Sequence, residues 1–192
     1  MNNPAEQVSK NLKQIRRRLA WSLDRASKET GVSKAMLGQI ERGESSPTIS
    51  TLWKIATGFS VSLSSLMQNI PENADPSVTL LRDADKIRQP IAEDGMLIAP
   101  LFPFDPRVAF EYFELTFPTS YERLSEPHKT GVIEYITVTE GQMEILSEGE
   151  WHKLEKGQSI RFNADRPHGY RNHTGERSVI LSVIYYPSRG DV

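Results

Sequence analysis

The hydrophobic period of this chain changes once, and the change falls on a stretch rich in Pro, Asn and Asp, "QNIPENADPSV". Ahead of it apolar residues recur at helical steps. Val8, Leu12, Ile15 and Leu19 are spaced by four, three and four positions, the apolar stripe of a helix packed on a core. Behind it come short runs rich in β-branched and aromatic residues: "VTLLR", "GMLIAPLF", "AFEYFELTF", "VIEYITV", "QMEIL", "WHKL", "SIRF" and "SVILSVIYY". Turns such as "TEG", "SEGE" and "NHTGE" divide them, as between the strands of an antiparallel sandwich or barrel. The pattern predicts an α plus all-β chain of two domains. The first spans residues 1–69, a linker 70–78, and the second residues 79–192.

Charge divides at the same place. Residues 1–70 carry a net +5 and residues 71–192 a net −7, within 192 residues of net charge −2. A small basic module joined to an acidic one directs a polyanion to the first half only. The absence of cysteine excludes disulfides, thiolate metal sites and cysteine nucleophiles. No apolar run approaches the ~20 residues that span a bilayer, and "MNNPAEQVSKNLKQ" lacks the order of a signal peptide. A cytoplasmic protein without a membrane partner is expected.

In the helical half, Ser22 is an N-cap for "SLDRASKET", and Gly31 suits the left-handed residue that closes a helix. Ser33 caps a second helix that runs to Gly43. A helix of about eight residues, a three-residue turn and another helix follow the order of a helix-turn-helix. Ala26 and Ser27 are the small residues expected where the helices cross. Val32, Leu37 and Ile40 are the expected buried face, which leaves Lys34, Ala35, Gly38 and Gln39 on the other side. There Gln39 suits adenine in a major groove. Thr48 or Ser50 caps a fourth helix, and "SLSSLM" makes a short fifth.

The line from "SLDRASKETGVSKAMLGQIERG" through "SPTISTLWKIA" resembles the phage-repressor-type (lambda-repressor-like) helix-turn-helix family across nearly all of residues 8–68. The resemblance implies a recognition helix with Lys34, Ala35 and Gln39 facing bases. It also implies phosphate contacts at Ser22, Arg42, Ser46 and Thr48, and a structural Arg16–Glu41 pair, so that Arg17 or Arg18 reaches phosphate instead. Such units read two half-sites ~34 Å apart, so a homodimer on an operator in double-stranded DNA is expected.

In the strand-rich half, "PHKTGVIEYITVTEG" places His128 shortly before Glu134, and "RPHGYRN" brings His168 about 40 residues after the first histidine. Glu134 shares parity with Ile136 and Val138, so its carboxylate is expected inside the barrel, where it must be paired, protonated or metal-bound. His152 and His173 read as surface residues. The spacing from His128 to Gly141, with Gly157, His168 and Asn172, resembles the two motifs of the cupin family over about residues 80–187 and implies a jelly-roll barrel. Thr130 stands where the family has a second histidine, and Asn163 and Asp165 stand where its second motif has proline and glycine.

Three readings of this site stay open. His128, Glu134 and His168 can hold zinc, iron or manganese with water completing the shell. Alternatively they line a metal-free effector pocket with Thr130, Arg161 and Tyr170, or they form a closed Glu–His pair. The order of helix-turn-helix and cupin is similar to a family of bacterial transcription regulators, within it most of all to the sulfur-utilisation regulators. The function expected is operator binding controlled by a small-molecule effector. The alternative is a mononuclear-metal enzyme similar to hydroxypropylphosphonate epoxidase, against which the Thr130 substitution weighs.

Overall fold

The computed structural model describes residues 4–67, 79–90 and 95–187; the expected linker lies outside them. They form two compact units, one ending at Arg82 and the other beginning at Asp83.

The first unit holds α1 (Pro4–Arg18), α2 (Leu23–Thr30), α3 (Lys34–Glu41), α4 (Ile49–Phe59) and α5 (Leu63–Met67). Side chains that satisfy the free N–H groups of a first turn set the helix starts. Ser22, Ser33 and Thr48 accept hydrogen bonds from the backbone of Arg25, Met36 and Thr51. Gly31 ends α2 at φ 67°, where a side chain would be strained. Val8, Leu12 and Ile15 are buried with Val32, Leu37, Ile40, Leu52, Ile55 and Leu66. Leu19 departs from the expected stripe. It follows the last turn of α1 and stays 39% exposed, because a stripe needs the helix to continue beneath it.

The second unit begins with α6 (Ala84–Ile87) and β1 (Gln89–Pro90). Next come β2 (Leu97–Asp105), β3 (Phe110–Phe117), β4 (Tyr121–Ser125), β5 (Ile133–Glu140) and β6 (Gln142–Ser147). The remaining strands are β7 (Glu150–Glu155), β8 (Ser159–Asn163), β9 (His168–Asn172) and β10 (Ser178–Tyr185). They make two antiparallel sheets, ordered β1-β2-β3-β10-β5-β8 and β4-β9-β6-β7, the two layers of a jelly roll. Seven of the expected runs are the strands β2, β3, β5, β6, β7, β8 and β10. The eighth, "VTLLR", is no strand over its described residues 79–82, where Leu80 and Leu81 are exposed. β1, β4 and β9 have no counterpart among those runs.

Two of the glycines sit where a side chain would overlap backbone. Gly141, at φ 70°, turns β5 into β6, and a Cβ there would lie 2.6 Å from the Arg177 carbonyl oxygen. Gly58 on α4 lies against the end of α2; a Cβ would come within 2.6 Å of Glu29 O and Thr30 Cα. Ala26, expected at a helix crossing, is fully buried, and Gly58 supplies a second close approach that the sequence pattern did not single out.

Glycine inside a helix is ordinarily about 1 kcal/mol worse than alanine. Gly58→Ala is expected to reverse that sign and cost about 1–3 kcal/mol through backbone overlap. Urea or thermal unfolding of the helical unit measures it.

Candidate functional site

In the helical unit, α3 presents Lys34, Ala35 and Gln39 to solvent, and Leu37 and Ile40 to the core. Gly38, expected on the outer face, is buried instead. A Cβ there would meet Arg42 Nη1 at 3.1 Å and Leu23 Cδ1 at 3.8 Å, because α2 covers that side of α3. Ser22, Arg17, Arg18, Arg42, Ser46 and Thr48 are all exposed. Lys34 pairs with Asp24 at 2.8 Å and Arg42 with Glu44 at 2.7 Å. Exposed pairs of this kind are screened by water and add little to stability, so either carboxylate can be exchanged for another anion at small cost. Arg16 differs. Its Nε and Nη2 donate to both oxygens of Glu41 at 2.6 and 2.8 Å, and Nη1 donates to the Trp21 carbonyl at 2.7 Å. This fork ties the end of α1 to the end of α3 and commits Arg16 to the fold.

In the barrel, Glu134 projects from β5 and is 1% exposed. Its Oε1 lies 3.0 Å from His128 Nε2, and its Oε2 accepts from the Tyr170 hydroxyl at 2.5 Å. Tyr170 and His168 share the inner face of β9, and the His168 ring stands edge-on to those of His128 and Tyr170. Burial alone would raise the Glu134 carboxyl. The His128 hydrogen bond, the charges of His168 and His128 and the Tyr170 hydroxyl outweigh it and bring the group to about 2. Burial also pushes His168 below its ordinary value, against the pull of Glu134. With His168 thereby neutral near pH 7, the groups within hydrogen-bond reach of the carboxylate are His128 and the Tyr170 hydroxyl. Burial, then the Glu134 charge, drives Tyr170 well above the ordinary phenol value, which keeps it a donor.

His168 Nδ1 donates to the Arg166 carbonyl at 2.9 Å. The neutral ring then offers a lone pair at Nε2, which is buried, 3.8 Å from Glu134 Oε1, and without a hydrogen-bond partner among the described residues. A lone pair held toward a carboxylate oxygen, with the other ring nitrogen tied to a carbonyl, is how a metal-ligating histidine is oriented. One ligand atom each from His128, Glu134 and His168 lie within 4.8 Å of one another. The three donors fit a divalent cation such as zinc, iron or manganese with coordination positions left for water or ligand.

Two residues expected in this pocket are elsewhere. Thr130 is exposed in the turn before β5, so it is neither a ligand nor a lining group. Arg161 is exposed as well. It pairs across the sheet with the outward Tyr135, while its neighbour Phe162 pairs with Glu134 and takes the interior. The alternation of Ile160, Arg161 and Phe162 carried that signal. His152 and His173 are exposed as expected. Asp165 has a positive role in place of the family's glycine: its carboxylate accepts from the Gly131 N–H at 2.8 Å, binding the His128 loop to the one before β9. Together with the His128 N–H donating to the Ala164 carbonyl at 2.9 Å, this brings the two histidine loops together. Asn172 is structural; its amide donates to the carbonyls of Pro118 and Glu176 at 3.0 and 2.7 Å. The sequence pattern did not single out Arg123. It lies on the inner side of β4 with its guanidinium 4.7 Å from the Tyr170 ring centre.

Fold and site together define a DNA-binding helix-turn-helix unit followed by a cupin. Residues 12–66 match the Helix-turn-helix family and residues 114–184 the Cupin domain family. The chain is 46% identical to the HTH-type transcriptional regulator SutR of Escherichia coli (strain K12), over 97% of this chain and 99% of that protein. It is 29% identical to the HTH-type transcriptional regulator PuuR of the same organism, over 91% and 92% of the two chains. A crystal structure of an HTH_3 family transcriptional regulator from Vibrio cholerae superimposes with a TM-score of 0.82 at 42% identity, covering 96% of this chain and 98% of that one. The chain belongs to the family of SutR-like helix-turn-helix transcriptional regulators. It is not an enzyme, and the epoxidase alternative is set aside: the curated relatives that span the chain are regulators.

A carboxylate held below its unfolded value adds stability that is complete above about pH 4.5 and lost as the pH falls toward about 2. In the presence of a chelator, Glu134→Gln is expected to be less stable than wild type by a few kcal/mol at pH 7, with the gap closing over that window. Depressed His168 acts in the same direction, its contribution declining from about pH 6.5 downward. Urea titrations of both proteins at stepped pH measure the difference.

Proposed function

We infer that this chain is a homodimeric, effector-responsive regulator: α3 reads an operator in double-stranded DNA, and the barrel binds a small molecule that alters operator affinity. The observation that carries the reading is the buried set of His128, Glu134, His168 and Tyr170, which leaves His168 Nε2 unsatisfied. A barrel that served only to join subunits would gain nothing from a desolvated carboxylate and an unpartnered imidazole nitrogen. Lys34, Ala35 and Gln39 meet bases, while Arg17, Ser22, Arg42, Ser46 and Thr48 meet phosphates. One such unit covers one half-site, so two copies are needed to span two half-sites about 34 Å apart. His128, Glu134 and His168 hold zinc, iron or manganese if a metal takes part. The metal would supply a Lewis-acidic anchor for the effector, while these side chains orient it and Tyr170 holds the free carboxylate oxygen. Because its partner is DNA, the protein works in the cytoplasm.

Native mass spectrometry of the full chain tests the assembly. A dimer mass, with or without a metal ion per subunit, supports the reading, and a monomer bound to a full operator removes it. Gln39→Ala is expected to weaken operator binding by about 1–3 kcal/mol and relax specificity at one base pair. Arg17→Ala should weaken operator and unrelated DNA alike and reduce the salt dependence. Fluorescence anisotropy on both DNAs separates the two outcomes. Effector binding should change operator affinity by about 1–3 kcal/mol, as is usual for such coupling.

A further inference from the structure

Among the described residues, one arginine of the barrel has buried nitrogens that no side chain or carbonyl partners. Among the described residues, eight arginines meet carboxylates: Arg16, Arg25, Arg42, Arg88, Arg107, Arg166, Arg171 and Arg177. Arg17, Arg18, Arg82 and Arg161 are exposed. Arg123 alone has buried guanidinium nitrogens, Nε and Nη1, without a hydrogen-bond partner among the described residues.

Its position is built by register. On β4 the side chains of Tyr121, Arg123 and Ser125 turn inward, while Glu122 and Leu124 are exposed. Arg123 stands opposite Tyr170 and Ser125 opposite His168. The guanidinium therefore borders the same interior as the His128–Glu134–His168 cluster. Glu134 is already engaged through both oxygens, one toward His128 and one with the Tyr170 hydroxyl. The Arg123 charge is felt at both His168 and Tyr170.

A buried guanidinium stays protonated, so it cannot escape the cost by losing its proton. Leaving such a charge unpaired costs several kcal/mol, whereas stacking on Tyr170 returns about 0.5–2 kcal/mol. Water can satisfy the N–H donors but leaves the charge uncompensated. An oxyanion does both, and guanidinium donors match carboxylate and phosphate oxygens in charge and geometry. Arg123 as a residue keeps some exposure, so the site is not sealed.

We propose that the barrel's ligand is a small molecule bearing an oxyanion group, carboxylate, phosphate or sulfate, seated on the Arg123 guanidinium beside His168 and Tyr170. This deepens the sensing role proposed above, on which its consequence at DNA rests.

The test is thermal unfolding of the full chain with sodium acetate, succinate, phosphate or sulfate, each against sodium chloride at equal ionic strength and against neutral acetamide. Wild type and Arg161→Met, which alters an exposed arginine outside the site, should show a saturable rise of several degrees with at least one oxyanion. The anion that acts identifies the chemical group. Arg123→Met should lose the rise, and Arg123→Lys should keep a smaller one. Without ligand, Arg123→Met should melt at or above wild type, because an uncompensated charge is replaced by an apolar chain of similar length.

An equal response in Arg123→Met, or no response in wild type, overturns the proposal. So does a fall of several degrees in both ligand-free Arg123 variants, for the guanidinium would then be holding the barrel together. Operator affinity measured on the same samples separates the two readings. Arg123-dependent anion binding that leaves DNA affinity unchanged removes the sensing role and keeps the site. A metal ion that changes DNA affinity while no oxyanion binds does the reverse.

Discussion

An ionised carboxylate inside a barrel must be matched by donors on every side, and Glu134 sets that demand for the second half of this protein. Its oxygens lie against His128 and Tyr170, which arrive from a loop and from a strand of the opposite sheet. Meeting the demand requires β9 to lie in one register, because a shift by one residue would turn His168 and Tyr170 outward. It also requires the two loops that carry the histidines to be joined, which the Asp165–Gly131 and His128–Ala164 hydrogen bonds do. The polar cluster thus specifies how the two sheets face each other, while apolar residues such as Ile136, Val138, Ile145 and Ile180 supply burial.

The helical unit solves a different problem. Its helix α3 is two turns long, too short to be stable alone. Capping by Ser33, the Arg16–Glu41 fork and the close fit of Gly58 against α2 hold it in place from outside. These restraints act on the buried side and on the helix ends. Lys34, Ala35 and Gln39 are consequently left without structural duties, save one exchangeable ion pair.

Much of this was legible beforehand, for identifiable reasons. N-caps and a left-handed glycine are local signals, so the helix starts at Ser22, Ser33 and Thr48 could be read directly. Strand alternation assigned Glu134 to the interior because Ile136 and Val138 share its parity. The same rule would have turned Arg161 outward between Ile160 and Phe162, and proximity in sequence to the motif was a poorer guide. β4 escaped notice because its inner face is Tyr121, Arg123 and Ser125, which does not read as an apolar stripe. A strand that lines a polar interior loses the contrast on which periodicity depends.

The sequence by itself determined the division into helical and strand-rich halves, the helix-turn-helix and the inward carboxylate. Period, capping and parity depend only on residues near one another in the chain. Tertiary structure alone decided which polar groups share the interior: Tyr170 on Glu134, Asp165 on Gly131, and Arg123 beside Tyr170 with buried nitrogens unmatched. Those meetings join strands and loops tens of residues apart, and whether a buried charge finds a partner there depends on sheet register and packing, which local pattern does not encode.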